Sequence, residues 1–135
     1  MASIYKEIVI AAEPARVWDA IRDVGAVHER LAPDFVAGVR MEDGARIVTF
    51  VDGRVIRELI VGIDDAARRL AYAAVGVPGR KHHNASFQIF AGADGKSRVV
   101  WITDVLPDDA AVVLAANMEK GLAAVKRHLE RKEGA

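Results

Sequence analysis

Apolar positions recur along this chain with two different periods, and the switch between them marks out its elements. Ser3 to Ala11 alternates and is rich in β-branched residues (Ile4, Ile8, Val9, Ile10), which predicts a strand. EPARVWDAIRD follows, with Val17, Trp18 and Ile21 at helical spacing. Pro14 suits the first helical position, where its missing N–H costs nothing, so a short helix is expected to end near Asp23. VGAVHERLA predicts a second short helix from Val24 to Ala32, closed by Pro33.

From there the period falls to two. Phe35 to Met41, Ala45 to Val51, Arg54 to Ile63, Arg69 to Val75, His83 to Ala91 and Ser97 to Leu106 all read as strands. The turn signals EDG, DG, DD, GVPG and ADG separate them, and Asp-Gly between extended runs is a strong hairpin signal. Six hairpin-linked strands imply an antiparallel meander. Pro107 stops the last strand, and Asp108 is the expected N-cap of a final helix. Ala111, Leu114, Met118, Leu122, Val125 and Leu129 form one apolar stripe along it. At 1.5 Å per residue such a helix is roughly 35 Å long and can cross a whole sheet. Gly121 interrupts it near the middle, either for close approach to a strand or ligand, or as a tolerated surface glycine.

The expected class is α+β. A long antiparallel sheet must bury one face, and a single long amphipathic helix is available to cover it. A curved sheet wrapped on one helix does not close tightly at both ends, so a cavity is expected between them, roofed by the two short helices.

Composition narrows the reading further. With 135 residues, 52% of them hydrophobic, the chain suits one domain spanning 1–135 with a real core. Basic and acidic residues number 19 each, which argues against nucleic acid as a partner. Lys126, Arg127, Arg131 and Lys132 gather near the C-terminus, as a solvated last turn or a basic patch. The chain has no cysteine, so disulfides, thiolate metal sites and a cysteine nucleophile are excluded, and a cytoplasmic location is expected. No apolar run approaches the roughly 20 residues of a membrane span, so no stable membrane insertion is expected.

Four segments resemble the START-like superfamily, also called SRPBCC, and its polyketide cyclase/dehydrase and lipid-transport branch. They are PARVWDAIRD at 14–23, RELIVGIDDAARRLAY at 57–72, SRVVWITDVLP at 97–107 and MEKGLAAVKRHLE at 118–130. The resemblance implies a helix-grip fold, in which about seven curved strands grip the C-terminal helix and two short helices lie between strands 1 and 2. It implies a lipid, polyketide or aromatic ligand, a cyclase/dehydratase-type enzyme, or a protein-interaction module of the chaperone-activator type. Fold alone does not choose among them.

The candidate residues follow from strand alternation. On the last strand Val99, Trp101, Thr103 and Val105 are expected to face inward. On the strand before it His83, Ala85, Phe87 and Ile89 form the apolar set, so His83 is expected in the cavity and His82 outside. A one-residue slip or bulge would instead turn His82, Asn84 and Ser86 inward. Tyr72 is a polar handle on an apolar wall, Asn117 neighbours the helix stripe, and Met118 is an adaptable wall element. Thus Tyr72, His83, Phe87, Trp101, Thr103, Asn117 and Met118 are the expected ligand contacts.

For acid–base chemistry the candidates are His28, His83 and Arg57. If Val55, Leu59 and Val61 are core, Arg57 lies inward with them and could hold a carboxylate or carbonyl; at the rim it would simply snorkel. His82 and His83 point to opposite faces and neither HxH nor HExxH occurs, so no metal is expected. No cofactor is expected. The expected partner is a small hydrophobic ligand, and a homodimer is possible in principle.

Overall fold

A computed structural model describes residues 2–131. Lys132, part of the basic C-terminal cluster, lies outside the described residues. Seven strands form one antiparallel sheet: β1 (Ala2–Ile10), β2 (Val36–Glu42), β3 (Ala45–Phe50), β4 (Val55–Asp64), β5 (Arg69–Val75), β6 (His82–Ala91) and β7 (Ser97–Leu106). Their order is β1-β7-β6-β5-β4-β3-β2, a meander from β2 to β7 onto which β1 adds at the far edge. Helix α1 (Pro14–Arg22) and a five-residue π turn (Val27–Leu31) lie between β1 and β2, and helix α2 (Ala111–Leu129) ends the fold. The architecture is the curved sheet and long C-terminal helix of the helix-grip class.

Local chemistry explains these elements. Pro14 opens α1, and Val17, Trp18, Ala20 and Ile21 bury its inner face. Burying side chains of this size stabilises the fold by about 1.5–3 kcal/mol each. Polar bonds tie the helix down as well. Trp18 Nε1 donates to Asp65 Oδ1 at 3.0 Å and Arg22 Nε to the same oxygen at 2.8 Å, joining α1 to the β4–β5 turn. The expected second helix shortens to the π turn. Val27 and Leu31 are its buried residues, and Arg30 anchors it to Asp19 and Asp23 of the α1 region. Between β2 and β3, Asp43 and Gly44 both take positive φ (48° and 76°), as a tight hairpin with right-handed strand twist requires.

Register shifts at Val36/Gly38 in β2 and Ile60/Gly62 in β4 bend the sheet. The bend produces a concave face over which α2 lies with Leu114, Met118, Leu122, Val125 and Leu129 buried. The N-cap position of this helix is Ala110, not Asp108. Asp108 begins a 3-10 turn (Asp108–Ala110), and α2 starts at Ala111 without a side-chain cap. A chain leaving Pro107 tightens into one 3-10 turn before it widens to the α form, which moves the helix start three residues past the expected cap. Gly121 is buried against the sheet: a Cβ there would lie 3.0 Å from Trp101 Cζ3 and 3.2 Å from Phe35 Cε2. Of the two readings of this glycine, close approach is the one observed.

Candidate functional site

Between the concave face and α2 lies a cavity of about 90 Å³. Its walls are mostly aliphatic and aromatic, with contributions from α1, the π turn, β2 to β7 and α2. Phe87 and Trp101 stack on one wall with ring centroids 4.5 Å apart, and Tyr72 continues the row at 6.4 Å from Phe87. Arg54, Ile56, Leu114 and Asn117 line both this cavity and an outer groove of about 760 Å³. These four form a neck between the two. Beyond it lie the 76–80 loop, the start of β4 and the first turns of α2.

The register of β6 resolves the double histidine. His83 pairs with Val105 and Phe87 with Trp101, without a bulge, and His83 faces the cavity while Asn84 is exposed. His83 Nδ1 lies 2.9 Å from Arg80 Nη1. A guanidinium can only donate, so Nδ1 is the acceptor and the neutral ring carries its proton on Nε2. Burial, then the positive charge of Arg80 and the neighbouring His82, lower the His83 pKa from 6.5 to about 4. The ring is therefore neutral at physiological pH.

Tyr72, His83, Phe87, Trp101, Thr103, Asn117 and Met118 all stand on the cavity wall. The acid–base candidates do not converge. His28 is half-buried outside the cavity lining, with Nε2 3.3 Å from Glu29 Oε1 and Nδ1 buried without a partner. Arg57 is a correction. Val55, Leu59 and Val61 are 61%, 38% and 62% exposed, so the face they share with Arg57 is the outer one. Arg57 Nη1 bonds Glu42 Oε1 at 2.8 Å there. Apolar residues occupy both faces of β4, so its alternation does not by itself reveal which face is buried.

Glu58 takes the inward place instead, and its partner is a residue that sequence reasoning passed over. Arg46 sits opposite Glu58 in the β3–β4 register, and the two are 5% and 8% exposed. Arg46 Nε donates to Glu58 Oε1 at 2.8 Å, and Nη1 reaches the Val24 carbonyl at 3.4 Å. The guanidinium lies 5.1 Å from the centre of the Tyr72 ring. The tyrosine oxygen accepts from Trp101 Nε1 at 3.1 Å. Desolvation raises the Glu58 pKa, with Arg46 opposing it. Burial also holds the Tyr72 hydroxyl well above its usual pKa, so it stays protonated. A signal for this cluster was present: Arg46 shares its strand face with Val48 and Phe50, which places a cation in an apolar row.

Among the described residues no three or more His, Asp or Glu side chains gather as metal ligands. No helix among them is long and apolar enough to cross a membrane.

The family described as polyketide cyclase / dehydrase and lipid transport matches residues 1–130. No curated protein matches the chain significantly. Similar solved structures include XoxI from Bacillus cereus, with 20% identity, 96% of each chain covered and a TM-score of 0.86. A START superfamily protein from Mycobacterium smegmatis has 13% identity over 95% of this chain and 94% of that one, with a TM-score of 0.70. The di-domain ARO/CYC BexL of the BE-7585A biosynthetic pathway has 18% identity and a TM-score of 0.80, over 96% of this chain and 47% of that one. At these identities the likeness is one of fold.

Proposed function

The chain belongs to the polyketide cyclase/dehydrase and lipid-transport family, and from that premise we propose that it binds a small, largely apolar molecule between the sheet and α2. The observation that carries this reading is an apolar cavity holding one buried polar cluster, Arg46–Glu58–Tyr72. Ligand sites characteristically combine an apolar lining with a few placed polar groups. Tyr72, His83, Phe87, Trp101, Thr103, Asn117 and Met118 are the proposed contacts. The aromatic row offers flat surface, and Met118 an adaptable one.

Size limits the ligand. An engineered void of about 150 Å³ holds benzene in another protein, so a 90 Å³ cavity suits a group of about one ring that also uses the neck. Anything larger extends through Leu114 and Asn117 into the outer groove. Of the three groups expected to serve as acid and base, His83 alone lines the cavity, which supports binding better than a catalysis that needs two of them.

Native mass spectrometry of the purified protein and thermal shifts against small aromatics, short-chain lipids and larger polyketide-like compounds test the reading. A retained or added mass with a raised Tm is expected for the small compounds. Unchanged Tm across every class contradicts it.

A further inference from the structure

The polar cluster on the cavity wall has unspent hydrogen-bonding capacity, and its pattern discriminates among ligands. This inference rests on the cavity being the binding site. Arg46 commits Nε to Glu58 and Nη1 to the Val24 carbonyl, which leaves Nη2 without a protein acceptor. Glu58 commits Oε1 alone, so Oε2 has no protein donor. The Tyr72 oxygen accepts from Trp101, but its own hydrogen has no acceptor. All three residues line the cavity, and neither Arg46 Nη2 nor Glu58 Oε2 is sealed in the protein without a partner. Three neighbouring residues on one cavity wall thus hold two donor groups and one acceptor that no protein group uses.

Charge narrows the choice. Arg46 and Glu58 neutralise each other within an apolar surround. A carboxylate or ammonium ligand would add an uncompensated charge there, which is costly in such a setting. A hydroxyl adds none. Its oxygen can accept from Arg46 Nη2 and the Tyr72 hydroxyl, and its hydrogen can go to Glu58 Oε2. A purely apolar ligand would leave all three groups unmet.

We propose that the cavity selects small, neutral, hydroxyl-bearing molecules, phenols and alcohols of about one ring, seated with the hydroxyl among Arg46 Nη2, Glu58 Oε2 and the Tyr72 hydroxyl. The ring then lies beside Phe87 and Trp101, and any substituent opposite the hydroxyl points to the neck at Asn117.

Calorimetric titration with p-cresol, toluene and 4-methylbenzoate tests this, because the three differ only in the group presented to the cluster. Wild-type protein is expected to bind p-cresol at least tenfold tighter than toluene, with 4-methylbenzoate weakest. Glu58→Gln keeps the shape and the acceptor for Arg46 but removes the negative charge. It is expected to raise 4-methylbenzoate affinity at least tenfold and make it the preferred ligand. Tyr72→Phe is expected to narrow the cresol–toluene gap several-fold. Equal binding of p-cresol and toluene to wild type overturns the hydroxyl selection while leaving the cavity reading intact. Preference for 4-methylbenzoate in wild type overturns it in favour of an anion site. Binding of none of the three overturns the hydroxyl selection, while the cavity reading is decided by the wider panel of lipids and polyketide-like compounds.

Discussion

Arg46 and Glu58 bring opposite charges into an apolar wall, and removing one partner strands the other. Breaking a buried pair of this kind typically costs 3–5 kcal/mol, whereas replacing both partners by apolar residues is often neutral. Arg46→Met is therefore expected to destabilise the protein by about 3–4 kcal/mol in urea unfolding. The double variant Arg46→Met with Glu58→Leu is expected to recover most of that loss. A double variant as unstable as the single one contradicts the pairing. Arg57→Ala, by contrast, removes a half-exposed pair with Glu42 and is expected to cost about 1 kcal/mol or less.

His83 adds a pH dependence. Its pKa falls from 6.5 to about 4 on folding, chiefly through burial. Between those values the unfolded chain takes up a proton that the folded chain refuses, so this group's contribution to stability falls as pH falls through the window. Glu58, whose pKa burial raises, acts in the opposite sense: its contribution is greatest at low pH and is lost as pH rises through its folded value. Comparing wild type with His83→Gln isolates the histidine. From pH 6.5 to 4 wild type is expected to lose about 2 kcal/mol more than the variant. Parallel pH curves would place His83 in water rather than in the cavity wall.

Among the elements, α2 shows most clearly how packing overrides propensity. Alanine at position 121 gains about 1 kcal/mol of helix propensity over glycine. The new methyl group, however, would meet Trp101 at 3.0 Å and Phe35 at 3.2 Å. Trp101 cannot withdraw easily, because it stacks on Phe87 and bonds Tyr72. Overpacking costs about 1–3 kcal/mol, so Gly121→Ala is expected to be net destabilising by about 1 kcal/mol in urea unfolding. A net gain in stability would show that the helix stands off the sheet.

The strands were legible in the sequence because period-two patterning and Asp-Gly turns are local signals. β5 and β7 have the expected bounds, and the other strands differ by a residue or so at their ends. The inward sets of β6 and β7 were legible for the same reason, since one face of each is clearly the more apolar. β4 was not. It carries β-branched residues on both faces, and what partners Glu58 on the inner face is Arg46, twelve residues back along the chain, brought opposite by the hairpin register. Pairing across strands is tertiary information that one strand's own pattern lacks. The π turn and the 3-10 start of α2 were missed for a related reason: cap and turn residues signal that a helix begins, without fixing its width.

At the scale of the whole molecule, a sheet bent by two register shifts and covered by a helix of about 28 Å (at 1.5 Å per residue) leaves space that side chains do not fill. The two tryptophans report on that space separately. The Trp101 indole N–H points to Tyr72 on the cavity wall. The Trp18 indole N–H bonds Asp65 of the β4–β5 turn, and Trp18 does not line the cavity. Titrating the ¹⁵N-labelled protein with p-cresol while following both indole resonances is the most direct test of ligand binding between sheet and helix. The account predicts a saturable shift of the Trp101 resonance with Trp18 unmoved. A Trp101 resonance that stays fixed to the solubility limit of p-cresol, or two resonances that drift together without saturating, would contradict it.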